Sequence, residues 1–347
     1  MGLIKGTITF SRYHVAGDLP QDFSAFFDRE LKKYAFDNSS VVREKSLGWT
    51  GLENVLDRNF EYASYHLGEC LVFSLRIDRR TIPPALLRLR ILEAEKARAE
   101  ETGRRRLSRS ERKDIKEQVR QRLLEKVPAI PSFHDVIWCP AKGWLIIGTT
   151  APSVMEDFEK YFDRSFSLKL VPALPWTGEE DIPPLPGREF LTWLWFKSEE
   201  RNGTMLVPGL GDIEVVFSRR VVFESGEGEY TETVVCQGLH ADLSEGKTAL
   251  RRAKKIREAR LGLGIGTDRM ECTIKADRFL YQSLNILSDF DEEEEEREAK
   301  LLYRTSAIER MVDTMEKLFA LFLERRRSAA WEQEELPRMK KWMEQGR

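Results

Sequence analysis

The chain has 347 residues, with 56 Lys and Arg against 58 Asp and Glu, a formal net charge of -2 at neutral pH. That length allows a sizeable core and two or three modules, and that balance excludes a globally basic polyanion binder, so any nucleic-acid contact has to come from segregated charge. No apolar run approaches the ~18 residues needed to cross a bilayer, and the first residues do not resemble a secretory signal.

Residues 3–13 alternate enough to predict a strand, and Asp22 to Phe36 has helical spacing with an apolar face of Phe23, Phe26, Phe27, Leu31, Tyr34 and Ala35. Val41 to Trp49 and Cys70 to Asp78 predict strands. Two helices folded back on each other follow. The first starts at Pro84 and stops at Thr102-Gly103, where each residue type is favoured. The second opens on Ser108 and Glu111, the spacing of a capping box, and runs to about Glu125. Between residues 104 and 122, nine basic side chains stand against three acidic ones, Glu111, Asp114 and Glu117.

Ser132 to Cys139 and Trp144 to Thr150 predict a β-hairpin around Pro140 to Gly143. A helix over 152–166 and a short strand over 168–174 come next, then a proline-rich, acidic stretch, 177–187, read as a module boundary. Arg188 to Glu200 is apolar nearly all round, which predicts deep packing; an aromatic platform for bases at Trp193 and Trp195 is the alternative. Ile213 to Phe217, Arg220 to Glu224 and Thr231 to Cys236 are expected as three strands joined by turns. A helix capped by Asp242 or Ser244 and running to about Lys254 leads into a twisted hairpin, 255–265 and 270–275. The acidic run Asp289 to Glu298 suits a helix start. Ala299 to Arg326 predicts a long amphipathic helix with Leu302, Ile308, Met311, Met315, Leu318 and Phe322 inward, and the last 20 residues are expected to fray.

Hairpin-linked strands and blocks of helices predict an α+β fold with mostly antiparallel sheets. The expected division is 1–83 with 128–176 as an N-terminal α+β module, 84–127 as a basic helical hairpin, 177–288 as a second α+β module, and 289–347 as C-terminal helices with a charged tail. Cys70, Cys139, Cys236 and Cys272 are far apart and form no CxxC, so they are expected to be reduced core residues of a cytosolic protein.

The strongest chemical signal is the hairpin tip. Arg104, Arg105, Arg106, Arg109, Arg112, Lys113, Lys116 and Arg120 could neutralise phosphates and release counterions, giving sequence-independent, salt-sensitive binding. Before Thr102 the charges balance, Glu93, Glu95, Glu100 and Glu101 against Arg88, Arg90, Lys96 and Arg98, as on a solvated helix face. A second patch holds Arg251, Arg252, Lys254, Lys255 and Arg257; favourable placement of cations at a helix C-terminus accounts for it equally well. On the strand, Lys255 and Arg257 are expected on one side, with Ile256 and Glu258 on the other. Asp212 and Glu214 share a strand face, but no further carboxylate and lysine complete a nuclease-type metal site. His14, His66, His134 and His240 have no ligand spacing, and Gly262 to Gly266 lacks the Lys-Ser/Thr of a phosphate loop. No cofactor and no enzymatic activity are expected; the alternatives are a metal-dependent DNA exonuclease and a protein-binding regulator that uses the hairpin as a coiled-coil arm.

The collinear order of several segments resembles the recombination-associated protein RdgC family. They are Ala35-Phe36, Leu47-Gly48-Trp49, Ile82-Pro83-Pro84, Leu92 to Glu95, the tip from Ser110 to Val119, and Arg122 to Leu124. Phe133 to Trp138, Gly143 to Ile147, Leu170 to Leu174 and Ala253 to Ile256 follow in the same order. The resemblance implies a cytoplasmic, nucleoid-associated protein that binds double-stranded DNA, with single-stranded DNA as the alternative, without sequence preference. It also implies a homodimer of two curved subunits closed into a ring with a basic hole, and restraint of RecA-promoted strand exchange. Residues 177–240 and the tail after Arg327 depart from the family pattern.

Overall fold

The computed structural model describes residues 3, 5–37, 42–60, 64–200, 203–225, 231–238, 244–266, 268–287 and 296–344. In chain order, the elements are β1 (Ile8–Ala16), α1 (Phe23–Lys33), β2 (Lys45–Thr50), β3 (His66–Leu67), β4 (Cys70–Arg79), α2 (Pro84–Thr102), α3 (Arg109–Lys126), β5 (Ile130–Cys139) and β6 (Trp144–Ile147). They continue with α4 (Pro152–Phe166), β7 (Lys169–Pro172), α5 (Pro186–Glu200), β8 (Thr204–Val207), β9 (Gly211–Ser225), β10 (Thr233–Gln237), α6 (Ser244–Arg251), β11 (Lys254–Ile265), β12 (Asp268–Lys275), β13 (Leu280–Leu287), α7 (Arg297–Arg327) and α8 (Leu336–Glu344). The fold is α+β with a large antiparallel sheet. Two units are distinguished: Met1–Asp18, His66–Leu71 and Asp135–Arg347 form one, Leu19–Tyr65 and Val72–His134 the other.

In the larger unit the sheet runs β10-β9-β11-β12-β13-β1-β6-β5, every pair antiparallel, with β7 also on β1 and β8 on β9. Alternation in β9 and β11 buries Ile213, Val215, Ile256, Ala259 and Leu261 on one face. Helices α5 and α7 supply the other half of this core. Phe190 packs on Phe319 at 5.2 Å between ring centroids, and Trp193 on Phe322 at 5.6 Å. Each fully buried side chain of this size contributes about 1.5–3 kcal/mol. Trp193 and Trp195 are core residues, and each indole N–H is spent on a carboxylate, Glu335 and Glu199 respectively. They form no exposed stacking platform.

In the smaller unit, β2 pairs with β4, and Trp49, Phe73, Phe27 and Tyr65 form a chain of edge-to-face contacts at 5.2–5.5 Å. Gly48 is required here: a Cβ would sit 2.2 Å from the Cα of Phe36.

Several expectations are corrected. Cys70 and Cys139 form a disulfide, their Cα atoms 4.2 Å apart across 69 residues of sequence; spacing along the chain cannot reveal such a pairing. Cys236 and Cys272 are free and buried, as expected. The two strands expected over 213–224 are one, β9, because Arg219 at φ 59° puts an irregularity where a turn was read. Strands β3, β8 and β13 were not anticipated; in β13, Ser283 at φ 51° breaks the alternation. Helix α6 ends at Arg251, and Ala253 at φ 58° turns the chain so that Lys254 already starts β11. In α7, Leu302 is exposed and Leu301 is buried in its place. The tail does not fray over 331–344: a π-helical turn at Trp331–Glu335 leads into α8, and Trp331, Met339 and Trp342 are buried. Asp242, His240 and the acidic run over 289–295 lie outside the described residues.

Candidate nucleic-acid interface

The hairpin is built by its ends. Pro84 opens α2, where its missing N–H costs nothing, and Gly103 closes it in the left-handed region at φ 61°, its N–H donating to Ala99 and Glu100 carbonyls. Ser108 caps α3. Its hydroxyl accepts the Glu111 N–H at 3.2 Å, and the Glu111 carboxylate accepts the Ser108 N–H at 2.8 Å. Hydrogen bonding to Ser108, and then the Arg104 and Arg98 charges, hold the Glu111 carboxyl below its ordinary range, so the cap is ionised at neutral pH. Between α2 and α3 lies a cleft of about 650 Å³, lined by Ala94 and Ala97 on one side and Asp114, Ile115 and Gln118 on the other. Val119, Leu123 and Leu124 bury the root of α3.

Charge on α2 is compensated locally: Arg90 pairs with Glu93 at 2.8 Å, Arg98 with Glu101 at 2.6 Å, and Lys96 with Glu100 at 3.9 Å. The tip differs. Arg104 reaches Glu111 at 3.6 Å with its side chain 66% exposed. Arg120 is tied to Glu44 at 3.1 Å, a partner 76 residues away that no sequence signal announces. Arg105, Arg106, Arg109, Arg112, Lys113 and Lys116 are exposed and, among the described residues, make no ion pair. On α3, Arg109, Arg112, Lys113 and Lys116 recur at spacings of three and four, so they share one side, while the cleft residues face α2. That stripe spans about 10 Å of helix. A duplex carries about six charges over that distance.

The second patch has its charge largely spent. Lys254 is buried and pairs with Glu232 at 2.6 Å, which holds the Glu232 carboxyl low. Lys255 pairs with Glu189 at 3.1 Å and Arg257 with Glu224 at 2.5 Å. Glu224 also accepts from Arg188 at 3.0 Å. Arg251 and Arg252 are exposed at the end of α6, with Arg251 donating to Thr248 at 2.7 Å. A bulge in β11 puts Ile256 opposite Phe223 but Glu258 opposite Val222, so those two do not share a face as the simple alternation had them.

Glu214 pairs with Arg269 at 3.3 Å on an exposed strand face, and among the described residues no group of three or more His, Cys, Asp or Glu is placed to hold a metal ion. Among them, too, no helix is long and apolar enough to cross a membrane.

Fold and site define an α+β protein that carries a helical hairpin, six of whose tip cations make no ion pair among the described residues. Residues 10–182 match the family model described as "Putative exonuclease, RdgC", and with that match the chain belongs to the RdgC family. The Recombination-associated protein RdgC of Burkholderia cenocepacia is 25% identical over 247 residues, 68% of this chain and 72% of that protein. That of Burkholderia orbicola is 25% identical over 235 residues, 65% of this chain and 68% of that protein. That of Burkholderia ambifaria is 25% identical over 155 residues, 44% and 46%.

Proposed function

We propose that this chain is a recombination-associated DNA-binding protein that contacts the phosphates of duplex DNA through the α2–α3 tip, without sequence preference and without chemistry of its own. The observation that carries this is the set of six exposed tip cations that make no ion pair among the described residues, in a chain of net charge -2 whose other basic patch is largely neutralised. Family membership supports the link to recombination. No aromatic residue occurs between residues 79 and 132, so the hairpin offers phosphate contact rather than base stacking, which favours duplex over single strands. In the fuller form of the proposal, two copies encircle or coat duplex DNA in the cytoplasmic nucleoid and restrain RecA-promoted strand exchange by occupying the duplex.

A second reading, a metal-dependent exonuclease, takes its support from the wording of the family description. One experiment separates them: end-labelled duplexes of two unrelated sequences compete for the protein in the presence of Mg2+. Equal competition within about twofold, with labels intact, is expected for contacts confined to phosphates. A strong preference for one sequence contradicts the backbone reading, and magnesium-dependent loss of label establishes the nuclease.

A further inference from the structure

We propose that Ser108 is a phosphorylation site for a basophilic serine kinase, and that the phosphate turns down polyanion binding at the hairpin tip; this second half rests on the DNA reading above. Arg105 and Arg106 stand three and two residues before Ser108. A kinase cleft lined with carboxylates reads arginines at such positions by paired, charge-assisted hydrogen bonds, and such charge patterns set kinase–substrate choice. For that, the arginines must be available and the hydroxyl reachable. Both arginines are exposed and, among the described residues, without an ion pair. Ser108 is exposed, with an extended backbone at φ -64° and ψ 164°. Its hydroxyl meets the Ser110 hydroxyl and the Glu111 N–H, each at 3.2 Å, and both partners lie in the first turn of α3. Leu107 is buried and must lift for the segment to enter a cleft.

The chain contains an internal comparison. Ser328 also follows three arginines, Arg325, Arg326 and Arg327. There all three are engaged, Arg325 with Glu334 and Glu335, Arg326 with Glu189 and Arg327 with Glu179, and the Ser328 hydroxyl donates to the Arg325 carbonyl at 2.8 Å. Sequence alone ranks the two serines together; of the two, Ser108 is the one whose arginines make no ion pair among the described residues.

In the transfer, Ser108 Oγ bonds to the γ-phosphorus of Mg-ATP as the bond from that phosphorus to the ADP oxygen breaks. The hydroxyl proton passes to the kinase's catalytic carboxylate and ADP leaves. The product carries about -1.5 to -2 charge. It stands within a few residues of Arg105, Arg106, Arg109 and Arg112, which can pair with it in place of a polyanion. Two lost phosphate contacts lower the salt slope by about 1.8 and the affinity at 0.1 M salt roughly sixtyfold.

The test treats the full chain with a basophilic serine kinase and Mg-ATP, maps the phosphate by mass spectrometry, and titrates a labelled duplex with each form. Phosphate on Ser108 and not on Ser328, lost when Arg105→Ala and Arg106→Ala are combined, is expected, with roughly sixtyfold weaker duplex binding. Ser108→Asp keeps a capping side chain and adds one charge, and is expected to lower affinity by about eightfold without a kinase. Phosphate on Ser328 instead, or on neither serine, overturns the site. Phosphate on Ser108 with undiminished duplex binding overturns the switch. An unmodified chain that accepts phosphate on Ser108 but binds no duplex supports the site and sinks the DNA reading.

Discussion

Combining Arg105→Glu, Arg106→Glu and Arg109→Glu lowers affinity for duplex DNA at 0.1 M salt by at least about a hundredfold. Each phosphate contact adds about 0.9 to the log–log salt slope, so three lost contacts are worth several hundredfold before the added repulsion is counted. The fold should not suffer. All three side chains are exposed and, among the described residues, without ion pairs. Surface substitutions of that kind stay within about 0.5 kcal/mol. The counterpart is Lys254→Gln, Lys255→Gln and Arg257→Gln. Those substitutions strip partners from Glu232, Glu189 and Glu224, so melting temperature falls while duplex affinity stays within about twofold. Anisotropy titrations paired with thermal melts read both effects. A tip variant that binds as well as the parent chain moves the interface elsewhere.

Glu335→Ala destabilises the protein by about 3–5 kcal/mol, the cost of removing one partner from a buried ionic network. The Glu335 side chain is 0% exposed, accepts from Trp193 Nε1 at 2.9 Å, and pairs with Lys197 at 2.6 Å and Arg325 at 3.3 Å. Removing the carboxylate leaves a buried indole N–H and two cations short of a partner. Burial alone would push this carboxyl up, but the bonds from Lys197 and Trp193 and the Arg325 charge outweigh it and hold the folded carboxyl below its ordinary value. A depressed carboxylate adds stability that is present above its unfolded value and is lost as pH falls through the folded one. The deficit of Glu335→Ala is therefore full at pH 7 and shrinks below about pH 4.5. Denaturant melts of both proteins at pH 7 and at acid pH test this; a variant that melts with the parent chain at pH 7 contradicts it.

What could be read from the sequence was local. The bounds of α4, the Pro84 start, the Gly103 stop and the Ser108–Glu111 capping box all depend on residues within a turn or two of each other. What could not be read depends on pairing across the chain. The irregularity at Arg219 joins two apparent strands into β9, and Ser283 hides β13 by breaking its alternation. The Cys70–Cys139 bond spans 69 residues, and its partners meet only because distant segments are brought together. The same holds for the candidate interface. Composition finds two basic patches, but carboxylates 22 to 66 residues away neutralise Lys254, Lys255 and Arg257, while among the described residues no carboxylate pairs with Arg105, Arg106, Arg109, Arg112, Lys113 or Lys116. The apolar α5 was legible as buried, because a helix without a polar face has nowhere else to go.

The most direct test of phosphate contact at the tip is the anisotropy of a short labelled duplex titrated with the full chain from 50 to 300 mM salt. Six cations that make no ion pair among the described residues give a log–log slope near -5. A slope close to zero, or no binding at the lowest salt, contradicts the assignment.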